Sequence, residues 1–496
     1  MTLTSTAHVR PALLDAPLPL LIDGREVAGR GAVIDVMNPS TGEVLARATS
    51  ATVEDVDAAV AAARTAFDDG RWSKLAPARR AALLQRWADL LEENIEEIAL
   101  LESLNCGKPF PIARDFEIRQ GIEILRYQSG WATKLNGETR DMSLPGTWHA
   151  YTRRQAIGVA GLIVPWNVPF TLAMSKLAPA LAAGCTTVLK PAELTPLTAV
   201  RLGQLAVEAG IPTGVVNIIP GPGSVAGQRL AEHPDVDKIS FTGSTAVGQH
   251  LLRTVSHDLK RISLELGGKS PVVIYPDADL SIAIPGAAQA IFANSGQVCA
   301  AGSRLYVHRD VADEVVAGIK KIAESMQLGA GTEPGTQMGP LVSSVQRDKV
   351  LDYLAQGVAA GGTIVTGGFA PERDGYFIQP TVMLIEDPQA SVVKEEIFGP
   401  VLVAQTFGDE DSIEDVLAMA NDNEYGLNSL VFTRDISRAL LLAEGLQAGN
   451  VRVNTPAGMD PALPFGGYGM SGWGRENGRE GVEAYTELKT VTIKLG

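Results

Sequence analysis

Residues 186–196 have the sequence TTVLKPAELTP, and this stretch indicates the fold class. The apolar run Thr186–Leu189 has the length of a strand that is buried on both faces. Thr195 and Pro196 form a typical N-cap and first-turn pair, which predicts that a helix follows over Leu197–Ala209. A buried strand that leads directly into a helix is the unit from which helix-covered parallel sheets are built.

Lys190 and Glu193 follow this strand at its carboxyl end, where open α/β sheets bind their ligands. A carboxylate at this position could accept hydrogen bonds from ribose hydroxyls and would repel a 2′-phosphate. A solvated loop with an incidental lysine and glutamate explains the segment equally well when it is taken alone.

The same alternation extends over most of the chain. Short apolar runs and helical stretches alternate from about Ala156 and resume after Cys299, while alanine-rich helical patterns dominate Val53–Leu104. The predicted fold is therefore α/β, with a parallel sheet of the doubly wound type and a second α/β unit. Further strands are predicted at Val159–Val164, Val215–Ile219, Lys238–Phe241, Pro271–Ile274 and Leu305–Val307, and further helices at Ser244–Val255 and Val311–Met326.

The C-terminal segment Tyr485–Leu495 alternates in polarity. Val491, Ile493 and Leu495 point to one side and polar side chains to the other, which predicts a strand with one buried face. A terminal strand of this kind needs a partner within the chain or in another subunit.

Length and composition set the class of protein. At 496 residues the chain should form two large domains. A net charge of −15 disfavours nucleic acid as a partner, and three cysteines favour a reducing cytoplasm over a secreted disulfide framework. Met1–Leu20 lacks the features of a signal peptide, no apolar run is long enough for a membrane helix, and the histidines lack metal-ligand spacing. We therefore expect no membrane partner and no metal.

A phosphate site is predicted where the strand Lys238–Phe241 meets the next helix. Free backbone N–H groups at the helix start after Gly243 favour a phosphate, although an ordinary strand–turn–helix corner is the alternative. The upstream run Gly221–Gly227 does not match the standard dinucleotide fingerprint, because it has one residue too many and Pro222 distorts it.

Two side chains could carry acid–base and nucleophilic chemistry. Glu265 ends an apolar strand before a Gly-Gly loop, so burial should raise its pKa and suit it as a general base; the polar face of an edge strand is the alternative. Small residues around Cys299 leave its sulfur open to a substrate. Cys185 begins an apolar strand and should be inert core, and Cys106 is expected to be a loop thiol that could be merely exposed.

Asn167 follows the apolar strand Val159–Val164 through Pro165 and Trp166. Its side-chain N–H could stabilise a developing oxyanion. A turn residue between Pro165 and Pro169 is the alternative.

Together these segments resemble the aldehyde dehydrogenase superfamily over about Leu21–Lys494. The motifs that carry the resemblance are 165–167 (PWN), 190–193 (KPAE), 241–244 (FTGS), 264–269 (LELGGK), 296–299 (GQVC), 395–400 (EEIFGP) and 464–467 (PFGG). The resemblance implies a nucleotide-binding domain (1–138 and 158–268), a catalytic domain (269–479) and a small oligomerisation sheet (139–157 and 480–496). This sheet would join subunits into homodimers or homotetramers.

The resemblance also implies a reaction, the oxidation of an aldehyde to a carboxylic acid with NAD. Cys299 would attack the aldehyde carbon, and Asn167 with the Cys299 backbone N–H would hold the oxyanion. Glu265 would activate the water that hydrolyses the resulting thioester. Lys176 and Glu476 match positions that support the site by proton relay.

The cofactor contacts are likewise implied by the resemblance. Lys190 and Glu193 match adenosine-ribose contacts, and Ser244 matches a pyrophosphate contact. Glu193 favours NAD, although some relatives with this glutamate also accept NADP. Glu396 and Phe398 match residues that position the nicotinamide ribose and ring. The other implied cofactor residues are Ile163, Val164, Pro165, Trp166, Ala192, Gly223, Gly227, Phe241, Thr242, Gly243, Val247, Leu266, Gly267 and Gln346.

The substrate site departs from the pattern of the family. Many members have bulky aromatic side chains where this chain has Val168, Ser175 and Ala293. Smaller side chains imply a wider apolar tunnel, completed by Val298 and Phe465, and hence a preference for aromatic or long-chain aldehydes over acetaldehyde.

Two alternative functions remain open. A coenzyme A-acylating enzyme is one, but such relatives usually lack the glutamate that Glu265 provides. A non-catalytic structural protein is the other, but such a protein would be free to lose Cys299, Glu265 or Asn167, and all three are present.

Overall fold

The computed structural model describes residues 11–495. The expected start of the nucleotide-binding domain at residue 1 and the first half of Met1–Leu20 lie outside the described residues, as does Gly496 at the end of the expected oligomerisation segment.

Strands are distributed along the whole described chain. They are β1 (Leu20–Ile22), β2 (Arg25–Val27), β3 (Val33–Asn38), β4 (Glu43–Thr49), β5 (Thr139–Arg140), β6 (Thr147–Ala156), β7 (Val159–Ile163), β8 (Thr186–Lys190), β9 (Val216–Ile218), β10 (Lys238–Thr242), β11 (Arg261–Glu265), β12 (Pro271–Ile274), β13 (Arg304–His308), β14 (Thr363–Thr366), β15 (Thr381–Leu384), β16 (Val401–Phe407), β17 (Tyr425–Gly426), β18 (Asn428–Phe432), β19 (Asn450–Val453), β20 (Tyr468–Gly469), β21 (Gly472–Trp473) and β22 (Thr486–Leu495).

Helices connect most of these strands. They are α1 (Val53–Asp68), α2 (Pro77–Glu93), α3 (Ile95–Cys106), α4 (Phe110–Ile112), α5 (Arg119–Ser129), α6 (Pro169–Ala183), α7 (Leu197–Glu208), α8 (Gln228–Glu232), α9 (Thr245–Val255), α10 (Leu280–Phe292), α11 (Arg309–Ser325), α12 (Ser344–Ala359), α13 (Ser391–Lys394), α14 (Ile413–Asn421), α15 (Ile436–Gly445) and α16 (Gly478–Glu483).

The first large sheet has the strand order β2-β1-β9-β8-β7-β10-β11-β21, and its central strands from β9 to β11 run parallel. The register places Ile163 beside both Lys190 and Phe241, and Thr242 beside Glu265. The carboxyl ends of four strands therefore meet at one edge, where the sequence predicted ligand contacts.

Helices cover both faces of this sheet. Alternate side chains of β7 enter two separate apolar clusters: Ala160 and Leu162 lie in one, and Val159 and Ile163 lie in the other. This is the consequence of a side-chain period of two in a strand that is buried on both faces. The predicted doubly wound α/β fold is thereby confirmed.

The second large sheet has the order β14-β15-β16-β13-β12-β18-β19 and is parallel except for the edge strand β14. The predicted strand at Leu305–Val307 and helix at Val311–Met326 correspond to β13 and α11. A second α/β unit is therefore present, as expected.

A three-stranded sheet pairs β22 with β6 over ten residues and adds β5 at the far edge. The C-terminal strand is present as predicted, but in a single chain the face that was expected to be buried is exposed. Ile493 is 41% exposed and Leu495 is 48% exposed. Within residues 11–495, this part of the apolar face is therefore left uncovered.

Helix α7 follows β8 as predicted, but Thr195 is not its N-cap. Helix α7 begins at Leu197, and Thr195 Oγ1 is buried without a hydrogen-bond partner among the described residues. The backbone N–H of Leu197 instead donates to Asn105 Oδ1 at 3.4 Å. A side chain 92 residues earlier thus takes the role that the local sequence assigned to Thr195.

Candidate active site

A tight turn delivers Cys299 to the site. Helix α10 ends at Phe292, and the next residues include Asn294 and Ser295 in the left-handed region, followed by Gly296 at φ 73°. A Cβ atom on Gly296 would lie 2.0 Å from the carbonyl oxygen of Gly399, so only glycine fits this close approach. The turn leaves Cys299 half-buried.

The backbone around Cys299 is packed against the Gly-Gly loop that follows β11. A Cβ atom on Gly268 would lie 2.3 Å from the Cys299 carbonyl oxygen, so this loop needs a glycine. Burial, the charge of Glu396 and then that of Glu265 raise the pKa of the Cys299 thiol to about 12. The thiol therefore has to lose its proton as it reacts.

Asn167 is buried and held at both ends. Its Nδ2 donates to the carbonyl oxygen of Gln297 at 2.9 Å, two residues before Cys299. Its own carbonyl oxygen accepts from Asn294 Nδ2 at 3.0 Å and from Lys108 Nζ at 3.0 Å. A side-chain N–H fixed in this way suits an oxyanion donor.

A group of buried charged side chains that the sequence did not predict lies next to Asn167. Lys108 forms ion pairs with Glu102 and Glu117, and all three side chains are at most 6% exposed. Burial lowers the pKa of Lys108, but Glu117 and Glu102 outweigh it, so the pKa is raised. The sequence did contain a sign of this cluster, because charged residues lie within otherwise apolar helical segments. Glu102 in α3 is an example.

The three cysteines differ in environment. Cys185 is buried, as predicted, and burial raises its pKa to about 11. The prediction of Cys106 as an exposed loop thiol is wrong: it is the last residue of α3, it is 4% exposed, and its Sγ lies 3.7 Å from the Trp166 carbonyl oxygen. Gly107, in the left-handed region, ends the helix there and turns the chain inward.

Glu265 ends β11 and is 3% exposed. Neither of its carboxylate oxygens has a hydrogen-bond partner among the described residues. Burial and then the charge of Glu476 raise its pKa well above the usual range, against smaller opposing effects of Lys176 and Arg475. A buried carboxyl group without a partner and with a raised pKa matches the predicted general base.

Lys176 and Glu476 form a buried ion pair. Lys176 Nζ also donates to Ser240 Oγ at 3.1 Å, and Glu476 Oε2 accepts from Ser175 Oγ at 3.0 Å. Glu476 therefore links α6 to the segment before α16. Ser175, which was expected to line a tunnel, is 4% exposed and has its hydroxyl directed at Glu476.

The predicted adenosine side of the site lies at the end of β8. Lys190 Nζ is 3.1 Å from Glu193 Oε2, and the Glu193 side chain is 46% exposed. Burial lowers the pKa of Lys190. Ser244 caps α9 by accepting from the Val247 N–H at 3.4 Å, which places a helix N-terminus nearby as predicted.

A second group of predicted cofactor residues surrounds Glu396. Its Oε1 accepts from the Gly268 N–H at 3.0 Å, and a Cβ atom on Gly267 would lie 2.6 Å from its Oε2. Gln346 Nε2 donates to the Phe398 carbonyl oxygen at 2.9 Å, and the Phe398 ring packs edge-on against Trp166 at 5.2 Å. Burial raises the pKa of Glu396.

The remaining predicted residues have simpler environments. Ile163, Val164, Ala192, Phe241, Thr242 and Leu266 are buried. A Cβ atom on Gly223 would lie 4.0 Å from Lys190 Nζ, and one on Gly227 would lie 3.9 Å from Ile163 Cδ1. Among the predicted tunnel residues, Val168 and Phe465 are half-buried, Ala293 is exposed and Val298 packs against the core of the second sheet.

One group of side chains that the histidine spacing did not suggest lies away from this site. Ligand atoms of His308, Asp310 and Asp409 lie within 4.8 Å of one another. His308 Nδ1 already accepts a hydrogen bond from the Asp310 N–H at 3.3 Å, so one of its two ring nitrogens is occupied.

In the described part of the chain, no helix has the length and apolar content needed to cross a membrane.

Known proteins resemble the chain over almost its whole length. Residues 27–491 match the model of the aldehyde dehydrogenase family. The chain is 47% identical over 474 residues to the mitochondrial aldehyde dehydrogenase of Leishmania tarentolae, covering 95% of this chain and 94% of that one. It is 45% identical over 487 residues to the phenylacetaldehyde dehydrogenase of Pseudomonas fluorescens, covering 97% and 96%. The NAD+ complex of an aldehyde dehydrogenase from Bacillus cereus superposes with a TM-score of 0.95 at 45% identity and covers 98% of both chains.

Proposed function

Because the chain belongs to the aldehyde dehydrogenase family and is an NAD-dependent enzyme of that family, we propose that it oxidises bulky apolar or aromatic aldehydes to carboxylic acids through a thioester on Cys299. The observation that carries this proposal is the buried, unpartnered carboxyl group of Glu265, whose charge reaches Cys299. A nucleophile and a buried general base that interact electrostatically suit an acyl intermediate that water hydrolyses.

The residues present fit NAD at both ends of the proposed cleft. Gly223 lies next to Lys190, and Glu193 offers a carboxylate to ribose hydroxyls. The N-terminus of α9 at Ser244 suits a pyrophosphate. Glu396 and Phe398 would hold the nicotinamide half of the molecule. NAD supplies the hydride acceptor of the reaction when it is bound.

In the first half of the proposed reaction, Cys299 Sγ passes its proton to solvent water and forms a bond to the aldehyde carbon. The carbonyl oxygen becomes an oxyanion, and the second N–H of Asn167 Nδ2, which does not bond to Gln297, would donate to it together with the Cys299 backbone N–H. The aldehyde hydrogen then leaves with its electron pair, and a thioester remains on Cys299.

In the second half, Glu265 accepts a proton from a water molecule whose oxygen attacks the thioester carbon. The carbon–sulfur bond breaks, the carboxylic acid leaves and Cys299 departs as a thiolate. A carboxylate whose pKa is raised is a stronger base than an exposed one, which suits this step near neutral pH. Coenzyme A transfer, the alternative, does not require activation of a water molecule.

The proposed substrate class rests on the side chains at the mouth of the site. Val168 and Ala293 are small, and Ala293 is exposed beyond the end of α10. The relative named phenylacetaldehyde dehydrogenase fits the same class. We expect Ala293→Phe to lower kcat/KM for phenylacetaldehyde more than for acetaldehyde, because an aromatic side chain would narrow the apolar passage.

The proposed assembly is a homodimer or homotetramer built on the sheet β22-β6-β5. Its outer edges are unpaired within the protomer, and Ile493 and Leu495 are exposed on one face. An edge strand with exposed apolar residues is stabilised when a second subunit covers it.

The test is NADH formation with phenylacetaldehyde, hexanal and acetaldehyde, each with NAD and with NADP. Wild type is compared with Cys299→Ala and Glu265→Gln, and Cys185→Ala serves as the control for loss of a buried thiol. We expect Cys299→Ala to be inactive, Glu265→Gln to stop after about one turnover and Cys185→Ala to remain active. If the wild type forms no NADH with any of the aldehydes, the structural-protein alternative is favoured. If it transfers an acyl group only in the presence of coenzyme A, the acylating alternative is favoured.

A further inference from the structure

A small cavity lies next to the start of β12. Four polar residues in its wall, Lys269, Ser270, Arg304 and Asn428, are each at most 3% exposed. The cavity has about 10 Å³ of room, which is close to the space that one water molecule needs. A ligand of that size would therefore be surrounded by polar side chains that bulk water does not reach.

Three of these residues have a polar atom without a hydrogen-bond partner among the described residues. The atoms are Lys269 Nζ, Ser270 Oγ and Asn428 Oδ1. The amide nitrogen of Asn428 donates to the Ala300 carbonyl oxygen at 3.0 Å, which fixes this side chain. Because buried polar atoms are rarely left unsatisfied, three such atoms in residues around one cavity indicate that a ligand binds in it.

The two cations in this wall have no carboxylate partner within residues 11–495. Arg304 donates to three neutral oxygen atoms, those of the Lys269 and Ala420 carbonyl groups at 2.7 Å and of the Tyr306 hydroxyl at 3.0 Å. The charge that acts most strongly on Lys269 is that of Arg304, and it is repulsive. Buried charges are stable when they are paired, so the two cations favour an anion.

Asn428 Oδ1 favours a different ligand, because it can only accept a hydrogen bond and a water molecule can donate one. The charges decide between the two ligands. A buried charge without a counter-ion costs more free energy than one unmade hydrogen bond between neutral groups. The wall therefore suits an anion better than a water molecule.

We propose that this cavity binds one monatomic anion, of the size of chloride, between Lys269 and Arg304. Lys269 Nζ and Ser270 Oγ donate to the anion, and Arg304 contributes its charge. Sulfate and phosphate are too large for a space that suits one water molecule. The anion ties β13 to the segment after Gly268, whose N–H donates to Glu396. The site goes beyond the proposed function, because no step of aldehyde oxidation uses it.

Anion binding is coupled to the protonation of Lys269. Burial, and then the charge of Arg304, lower the pKa of Lys269 to about 7, against the opposing charge of Glu396. The anion binds to the ammonium form, so above pH 7 its affinity should fall about tenfold with each pH unit. The other charged or titratable groups that act on the two cations or lie in the wall are Lys349, Glu395, Asp422, Tyr306 and Tyr425.

The experiment measures the melting temperature of the protein against the concentration of sodium chloride. Sodium gluconate keeps the ionic strength constant, and gluconate is too large for the cavity. We expect saturating chloride to raise the melting temperature by about 2 °C below pH 7. The chloride concentration that gives half of this effect should rise about tenfold between pH 8 and pH 9.

Two variants test the residues that donate to the anion. Lys269→Met removes the ammonium group and nearly keeps the volume, so the chloride-specific shift should vanish. Ser270→Ala removes one donor and should raise the chloride concentration at half effect about tenfold. This second variant keeps the test decisive if Lys269→Met does not fold. Lys349→Met is the matched control, because Lys349 is an exposed lysine whose charge also acts on Lys269 but which does not line the cavity.

Lys349→Met should show the wild-type chloride shift. A wild-type melting temperature that is equal in chloride and gluconate would overturn the proposal and make water the ligand. The proposal also fails if Lys269→Met keeps the full chloride shift, or if the shift does not depend on pH between 7 and 9, because chloride then binds elsewhere. None of these measurements needs an aldehyde, so a failure of this site is distinguishable from a failure of the proposed function.

Discussion

Lys108 Nζ lies 3.0 Å from the carbonyl oxygen of Asn167, so a buried ammonium group fixes the backbone of the proposed oxyanion donor. The same ammonium is paired with Glu117 and Glu102. Burial is the main cause that raises the pKa of Glu117, and the negative neighbour Glu102 adds to it. If this ammonium group were removed, two buried carboxyl groups would be left without a cation, which destabilises the fold.

We therefore expect Lys108→Met to lower the free energy of unfolding by about 3–5 kcal/mol, the usual effect of removing one partner of a buried ion pair. The activity of the protein that remains folded should also fall, because Asn167 loses an anchor. Denaturant unfolding and kcat measure the two effects.

The control for this prediction is Lys320→Met, which removes a half-exposed lysine from α11 and should change stability by less than about 1 kcal/mol. The double variant Lys108→Met with Glu117→Gln should recover part of the loss, since it removes one of the unpaired charges. A stability equal to wild type in Lys108→Met would show that the buried cluster does not hold this region.

The sequence predicted those parts of the site that lie at strand ends. Glu265 and Lys190 each follow a short apolar run, and such runs form parallel strands whose carboxyl ends meet at one edge. The Cys299 environment was visible because small residues surround it in the chain. The resemblance to a family added the roles, which local pattern cannot supply.

Contacts between distant segments could not be predicted in the same way. Lys108 and Asn167 are 59 residues apart, and Asn105 and Leu197 are 92 residues apart. Ser175 shows the same limit: its small size suggested open space, but Glu476, 301 residues away, occupies its hydroxyl. Side-chain partners of this kind depend on how whole helices and strands pack against one another, and the sequence around a single residue does not specify this packing.

Cofactor preference should depend on Glu193. Its carboxylate would repel the 2′-phosphate of NADP, and it also neutralises Lys190, which lies 3.1 Å away. Glu193→Gln should therefore lower the ratio of kcat/KM with NAD to kcat/KM with NADP by about tenfold or more. Glu208→Gln, an exposed glutamate at the end of α7, is the control. An unchanged ratio would mean that another residue selects the cofactor.

The exposed face of β22 should be a subunit interface. Ile493→Asp places a charge on this face, and desolvating a charge on association is costly. We expect the variant to show a smaller mass by size-exclusion chromatography with light scattering, at unchanged secondary structure by circular dichroism. Thr492→Asp on the opposite face is the control. The idea fails if wild type is itself a monomer, or if the Ile493 variant keeps the full wild-type mass.

Alkylation of Cys299 should report its raised pKa. The thiolate is the reactive form, and a pKa of about 12 leaves little thiolate near neutral pH. The thiolate fraction of the free enzyme is therefore small at pH 7 and grows about tenfold with each pH unit up to pH 10. The rate of iodoacetamide labelling, measured by peptide mass spectrometry, should rise with the same slope. Cys106 and Cys185 are buried and should label only on unfolding, which gives an internal control.

The charge of Glu396 adds to burial in raising this pKa, so its removal should act in the opposite direction. In Glu396→Gln the pKa of Cys299 falls, and labelling at a given pH becomes faster. A labelling rate that levels off below pH 9 in wild type would show that the free enzyme already holds a thiolate. The thiol would then be activated before any ligand binds, and the proton would not have to leave during attack on the aldehyde.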